Sequence, residues 1–369
     1  MVDTISTYQE LRSFTKIEKT LEELKNYTEN SFSSQDIPFK YQQLEDEPFV
    51  IDWEKYVDES YSQNIFYILQ KYLVQFWFPI KQGISQTDDY KKVTLKGYSR
   101  NQVSSATGLV LKKPHQLQVF LHQSLVGKIP VLIVEDRDDF ISIVRALTCR
   151  NEPHPIPDSM GAAMIKGLNN WDRLKKALQV QPRNPVLKNK DLFQDRLIVL
   201  SITPYSNVAP KMMGLEKEKW LSDSIKIRLE HECAHYFTLR HFGKMSNNMH
   251  DEIIADYNGI SAVLSNYKSD WFLKFIGLEN YPFFRKSGRL QNYKGNPVLS
   301  NDAFRILQRI IKQASNNIEA FDAETNISVC NRSHLIRLFT LCHVDLVKMS
   351  CRKGVDILCE KYKELDSLI

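Results

Sequence analysis

The sequence has no apolar run that could cross a membrane and no large excess of charge of one sign. A bilayer span needs about 20 mostly apolar residues, but polar side chains at Gln70, Lys71, Gln75 and Lys81 interrupt the most apolar stretch, residues 65–84. The net charge of +5 over 369 residues comes without a basic stripe, so nucleic acid is not an expected partner. We therefore expect a chain without a transmembrane segment, in which residues 65–84 form a buried helix.

Features of exported proteins are missing as well. Residues 1–6 contain neither a basic segment nor an apolar segment of the kind that opens a secretory signal. The six cysteines include no C-x-x-C pair, which argues against a zinc ribbon. In a chain of this size without tight cysteine spacing, reduced thiols are favoured over three disulfides. These absences favour a cytoplasmic protein and leave its oligomeric state open.

Hydrophobic periodicity predicts helices near both ends of the chain and a few short strands between them. Apolar residues at three- and four-residue spacing indicate an amphipathic helix in residues 6–30. Runs of branched apolar residues are typical of buried strands, and we expect such strands at residues 107–112, 130–134 and 196–203. Small residues are frequent in residues 159–171, which we interpret as a compact helix and turn rather than the lining of a pocket. After residue 300 the pattern is mostly helical.

The most informative segment is residues 231–235, which read His-Glu-Cys-Ala-His and form an H-E-x-x-H motif in a predicted helix. Ser222 is a suitable N-cap for this helix and Gly243 a suitable C-terminal stop. Histidines four residues apart lie on one face of a helix, where two neutral imidazoles can share one Zn²⁺ at about 2.0–2.1 Å. The glutamate beside the first histidine then faces the open coordination position, where it can act as a general base on water.

The next predicted helix offers a third ligand. Asn247 or Asn248 can cap it, and its Glu252 and Asp256 are four residues apart and share a face. The motif helix continues about two turns beyond its second histidine before the chain reverses through residues 243–248. A helical hairpin of this kind can bring the Glu252 carboxylate close to the two histidines.

This pattern, H-E-x-x-H followed on the next helix by Glu-x-x-x-Asp, resembles the gluzincin group of zinc metallopeptidases over roughly residues 196–265. The resemblance implies three ligands for Zn²⁺: His231, His235 and Glu252. It also implies that Glu232 is the catalytic base and that Asp256 accepts an N–H from a ligand histidine. The sequence around Glu252 is similar to that of some membrane-associated gluzincins, whose transmembrane helices we do not expect in this chain.

Several assignments stay open within the resemblance. Asp251 and His250 are the alternative third ligands. The residue that would stabilise the oxyanion has four candidates: Tyr236, Tyr257, His334 and His343. Residues 159–163 and 167–172 resemble segments of uncharacterised bacterial proteins, which implies no activity.

By resemblance we expect a zinc-dependent hydrolase, a metallopeptidase that cleaves a peptide or amide bond in a peptide or protein substrate with zinc-activated water. In gluzincins a strand edge holds the substrate backbone, which implies strand addition at residues 196–203. One alternative is a zinc-binding or partner-binding protein without catalysis on a zincin-like fold. Glu232 weighs against it, because a structural zinc site needs no base. A zinc hydrolase with a different substrate is a further alternative.

We predict an α+β protein with a helix-rich, zincin-like core, a small β-sheet packed on the motif helix and a helical C-terminal subdomain. The expected regions are a mostly helical N-terminal part (1–125), a catalytic core (126–275) and the C-terminal subdomain (276–369). Alternating strands and helices in residues 130–260 also permit an α/β description.

Overall fold

The computed structural model describes residues 17–32, 44–180, 187–246, 248–325 and 331–368. Helices predominate and one small mixed sheet is present, which confirms the α+β class. The chain divides into two compact units. Unit 1 comprises residues 1–42, 208–216 and 234–369, and unit 2 comprises residues 43–207 and 217–233. The three regions expected from the sequence stay a prediction.

Unit 2 contains a four-stranded sheet. Its strands are β1 (Gln118–Ser124), β2 (Gly127–Val134), β3 (Ala162–Asn169) and β4 (Gln194–Ser201). Their order in the sheet is β1-β2-β4-β3. The hairpin β1–β2 and the pair β3–β4 are antiparallel, whereas β2 and β4 are parallel. Strand β4 is therefore an inner strand with a hydrogen-bonded neighbour on each side.

The sheet confirms two of the expected strands and corrects three other expectations. Residues 130–134 and 196–203 coincide with β2 and β4, but residues 107–112 form no strand. Residues 159–171 were expected to form a helix and turn, yet most of them are β3, so that prediction is wrong. The expectation of strand addition at residues 196–203 is also wrong, because β4 is an inner strand and both of its edges are already paired.

Before the motif helix, the helices of unit 2 include α2 (Val50–Ser60), α3 (Ile65–Tyr72), α4 (Asp88–Lys96), α5 (Arg137–Thr148) and α6 (Trp171–Val180). Apolar side chains from α2, α3 and α5 form one buried cluster with the sheet, including Trp53, Phe140 and Val199. The buried helix expected over residues 65–84 ends at Tyr72, because Leu73 is extended and a 3₁₀ turn follows.

Unit 1 is helical. It contains a helical segment over residues 17–27 (α1) and the short helix α7 (Pro210–Met213). Its C-terminal part consists of α10 (Ser269–Ile276), α11 (Asn301–Thr325), α12 (Asn331–His343), α13 (Leu346–Ser350) and α14 (Gly354–Leu368). These helices confirm the helical pattern predicted after residue 300. The part of the predicted helix 6–30 that precedes residue 17 lies outside the described residues.

Two consecutive helices carry the residues of interest. Helix α8 (Lys217–Phe242), called the motif helix below, begins after Glu216, so the Ser222 cap was wrong. It ends at Gly243, as predicted, with a φ of 69° that favours glycine. Helix α9 (Met249–Leu264), called the partner helix below, has Asn248 as its N-cap.

No helix within the described ranges combines the length and the apolar character that crossing a membrane would require. The longest helix, the motif helix, has charged side chains along its whole length. This agrees with the expectation from residues 65–84, whose polar side chains break the apolar run.

Candidate metal centre

Two histidines and a glutamate come together as the sequence predicts. His231, His235 and Glu252, called the primary cluster below, each offer one ligand atom, and these atoms lie within 4.8 Å of one another. Nε2 of His235 is 3.6 Å from Oε1 of Glu252. Two ligands of a tetrahedral Zn²⁺ lie about 3.4 Å apart when the bonds to the metal are about 2.0–2.1 Å long. The donor set and its spacing therefore fit a zinc ion.

The primary cluster is buried. His231, His235 and Glu252 are 5%, 7% and 5% exposed. A buried carboxylate without a partner is expensive, because its charge loses the solvation of water. The neighbouring residues must therefore balance the charge of Glu252 when no metal is bound.

Asp251 orients His235. Its Oδ2 lies 3.3 Å from Nδ1 of the imidazole and accepts a hydrogen bond from the backbone N–H of Ser246. Nε2 of His235 is thereby left to face Glu252. Burial by itself lowers the pKa of His235, but the charges of Asp251 and Glu252 outweigh burial and raise that pKa well above its usual value. The raised pKa favours the protonated imidazole, and a metal that binds His235 must displace that proton.

Tyr205 orients His231. Its hydroxyl oxygen lies 2.9 Å from Nδ1 of His231, which leaves Nε2 for a metal. The turn Tyr205–Asn207 follows β4 closely, and the buried Arg228 of the motif helix holds this turn. The Arg228 guanidinium lies 5.7 Å from the centre of the Tyr205 ring and donates to the backbone carbonyl of Pro204 at 2.7 Å.

Close packing against Arg228 explains one of the small residues before β3. A Cβ atom at Gly161 would lie 2.3 Å from Nε of Arg228, so a larger residue would displace the guanidinium. The backbone carbonyl of Gly161 also accepts a hydrogen bond from Ser201, the last residue of β4. The small residues around position 161 thus let a buried arginine approach the backbone.

Arg289 balances the carboxylates of the partner helix. Its Nη1 lies 3.7 Å from Oε2 of Glu252, and its Nη2 donates to the carboxylate of Asp256. Burial together with the charge of Glu252 raises the pKa of Tyr293 well above its usual value. The histidine-orienting function expected of Asp256 stays a prediction, and its contact with Arg289 was not foreseen.

The alternative residues have other contacts. Nε2 of His250 lies 2.8 Å from the carbonyl oxygen of Leu341, and Nε2 of His334 lies 2.6 Å from Oδ1 of Asn258. The remaining three oxyanion candidates also have partners: Tyr257 donates to Asp322, Tyr236 accepts from Arg240, and His343 packs against Phe242. None of these contacts involves a residue of the primary cluster.

Glu232, the expected base, differs from Glu252 in its surroundings. It is 7% exposed and follows His231 directly on the motif helix. Among the described residues its side chain has no hydrogen bond or ion pair.

Over residues 9–353 the sequence matches the family described as "Family of unknown function (DUF7005)". The chain belongs to this family. No curated protein and no solved structure matches the chain. What can be said of the chemistry of this DUF7005 protein therefore depends on the placement of its side chains.

Sequence reasoning missed Tyr205 and Arg289. Tyr205 is separated from His231 by 26 positions and Arg289 from Glu252 by 37 positions, and no local pattern links either pair. Asp251 was considered only as a ligand. The contact of Asp251 with His235 could have been predicted. Asp251 directly precedes the predicted ligand Glu252, and a carboxylate at that position can reach the histidine that Glu252 faces.

Proposed function

We propose that this protein is a zinc-dependent hydrolase of the gluzincin type, a metallopeptidase that cleaves a peptide or amide bond. The observation that carries the proposal is the primary cluster, two histidines one helical turn apart and a glutamate from the next helix. Three protein ligands are typical of catalytic zinc, because the fourth position stays open for water or substrate. Structural zinc sites instead have four protein ligands.

His231, His235 and Glu252 would hold the ion, which when bound would supply the Lewis acidity that polarises a carbonyl and acidifies water. Glu232 would take a proton from the attacking water as the water oxygen bonds to the carbonyl carbon. Glu232 would then deliver that proton to the amide nitrogen as the carbon–nitrogen bond breaks. The products are a carboxylic acid and an amine.

The surrounding residues would keep this arrangement in place. Tyr205 and Asp251 each contact Nδ1 of one histidine, so Nε2 of each ring would remain for the ion. Arg289 would partly neutralise Glu252 and Asp256 before an ion arrives. Glu232 has no such partner among the described residues, which suits a group that must gain and lose a proton.

The test is a Glu232→Gln variant of the full chain. Substrates are first found with a peptide library, by comparing the wild type with and without a chelator. Glu232→Gln should then keep one zinc in the primary cluster and lose about 10²–10⁴-fold in turnover, since the base is absent. Zinc content is measured by mass spectrometry of the metal and turnover by product formation.

Glu218→Gln is the matched control, because Glu218 is exposed in the first turn of the same helix. It should keep both zinc and turnover. Full turnover in Glu232→Gln would refute the assignment of the base. Stoichiometric zinc in the wild type without cleavage of any peptide would favour the non-catalytic alternative.

A further inference from the structure

We propose that His122, Glu230 and Cys233 form a second metal site, for a divalent transition metal of the zinc class. These residues are called the strand-side cluster below. His122 lies on β1, an edge strand of the sheet, whereas Glu230 and Cys233 lie on the motif helix. All three belong to unit 2. The proposal concerns a site other than the primary cluster and does not depend on the proposed peptidase activity.

The geometry suits one ion. Glu230 and Cys233 are three positions apart and so share a face of the helix. Nε2 of His122 lies 3.1 Å from Oε1 of Glu230, and the ligand atoms of all three residues lie within 4.8 Å of one another. Ligands of tetrahedral zinc are separated by about 3.4–3.6 Å, depending on whether one of them is sulfur. Small side-chain rotations are therefore enough to close the three ligands on an ion.

The donor set indicates the class of metal. One imidazole nitrogen, one carboxylate oxygen and one thiolate sulfur suit Zn²⁺ and the neighbouring borderline ions. Mg²⁺ and Ca²⁺ prefer oxygen donors and would not select a thiolate. Cys233 is in no disulfide, so its sulfur is available as a ligand.

The cluster is also accessible to an ion. Cys233 is buried, but the side chains of His122 and Glu230 are 22% and 23% exposed. An ion can therefore enter from the solvent side and keep water as a fourth ligand. This arrangement is that of a three-ligand site with an open position.

The two clusters lie on different faces of the motif helix. At 100° per residue, the pair Glu230 and Cys233 projects about 150° away from the pair His231 and His235. One ion cannot serve both pairs, so together with the metal proposed for the primary cluster the wild type should bind two ions. Only the strand-side cluster contains a thiol, and this difference provides a selective spectroscopic signal.

Cobalt is the probe, because Co²⁺ replaces zinc in such sites and a bound thiolate adds a charge-transfer band in the near ultraviolet. The full-length protein is titrated with Co²⁺ and followed by absorbance. We expect two equivalents to bind and the thiolate band to appear with one of them. Cys233→Ser should abolish the band and remove one equivalent. Cys342→Ser, at another buried cysteine, should keep both.

His122→Asn is a second test of the thiolate band if Cys233→Ser fails to fold. His122 lies on a partly exposed edge strand, where a substitution disturbs the fold less than at a buried cysteine. Loss of this ligand should weaken the band-forming equivalent by at least about tenfold. His235→Ala, in the primary cluster, should keep the band. The proposal is overturned if the wild type shows no thiolate band, if Cys233→Ser keeps it, or if His122→Asn binds the band-forming cobalt as tightly as the wild type.

Discussion

The two ligand clusters of the motif helix bury charge to different degrees. The primary cluster consists of residues that are at most 7% exposed, whereas the strand-side cluster includes two side chains with more than a fifth of their surface in water. The primary cluster is surrounded by further charges, with Asp251 beside His235 and Arg289 beside Glu252. The strand-side pair of His122 and Glu230 can be solvated directly.

This difference shows two ways in which a candidate metal site can be stable without an ion. A charged carboxylate that is buried without a hydrogen bond or a positive partner is costly. In the primary cluster, Arg289 lies beside Glu252 and the raised pKa of His235 favours its charged form, so both contribute positive charge where an ion would otherwise bring it. A site near the surface has water for this purpose. We therefore expect the primary cluster to respond strongly to the loss of its supporting charges and the strand-side cluster to respond little.

The largest effect should follow removal of Arg289. In the metal-free protein, Arg289→Met removes the buried guanidinium that lies beside Glu252 and Asp256. The free energy of unfolding should fall by about 3–5 kcal/mol, the usual effect of breaking a buried ion pair. Zinc should restore more stability to this variant than to the wild type, since the ion replaces the lost positive charge. Urea unfolding with and without zinc measures both effects.

Arg332→Met provides the comparison for an exposed ion pair. The Arg332 and Asp366 side chains are about half exposed, and such pairs contribute about 0–1 kcal/mol. If Arg289→Met were no more destabilising than Arg332→Met, or if zinc restored no additional stability, the charge-balancing function of Arg289 would be wrong.

A smaller effect should appear in the pH dependence of zinc binding. Because the pKa of His235 is raised, its proton competes with zinc, and affinity should rise about tenfold per pH unit until the pH passes that pKa. Asp251→Asn removes a charge that raises this pKa, so affinity should level off at a lower pH. Zinc dissociation constants from chelator competition at several pH values test this.

The same proton affects the stability of the metal-free fold. A raised pKa means that the folded state binds the proton more tightly than the unfolded state. The resulting stabilisation is complete below the ordinary histidine pKa and is lost as the pH rises through the raised value.

The cobalt–thiolate band should keep its pH dependence in Asp251→Asn. If Asp251→Asn changed the pH dependence of that band and left zinc binding at the primary cluster unchanged, the expected difference between the two clusters would be wrong.

The smallest effect should come from the cap of the partner helix. The Asn248 side chain accepts hydrogen bonds from the backbone N–H groups of His250 and Asp251, both at 3.1 Å. Asn248→Ala should lower the free energy of unfolding by about 1 kcal/mol. It should also weaken zinc at the primary cluster, since this turn carries Asp251 and Glu252, and it should leave the cobalt–thiolate band unchanged.

Asn64→Ala is a matched control for that variant. Asn64 caps α3 by accepting a hydrogen bond from the backbone N–H of Phe66 at 2.9 Å. Its loss should cost similar stability with no change in zinc affinity. Equal loss of zinc affinity in both variants would mean that general destabilisation, rather than the position of the partner helix, is responsible.

Parts of the fold were predictable because local chemistry determines them. The inner strands β2 and β4 have long buried runs of branched apolar residues, and both were expected. The edge strands β1 and β3 were missed. In β1 most residues are only partly buried, and in β3 Lys166 and Gly167 interrupt the apolar pattern. Edge strands need less burial than inner strands, so their sequences carry a weaker signal.

The candidate site likewise has features that the local sequence predicted and features that it did not. The spacing of His231 and His235 places both on one face of a helix, and Asn248 at the start of the partner helix was identifiable as a cap. The start of the motif helix was misplaced by several residues, because Ser222 is a good N-cap residue type but lies inside the helix. Residue preference alone does not distinguish a cap from an interior position.

By itself, the sequence determined the motif, the two helices that carry it and the glutamate that follows one helical hairpin later. These features depend on residue spacing and on backbone capping, which act within a few turns. Only the tertiary structure decided which distant groups surround the candidate ligands: Tyr205 at His231 and Arg289 at Glu252. It also brought His122 from a distant strand to Glu230. Such contacts arise from burial and charge balance between distant segments, and no local pattern encodes them.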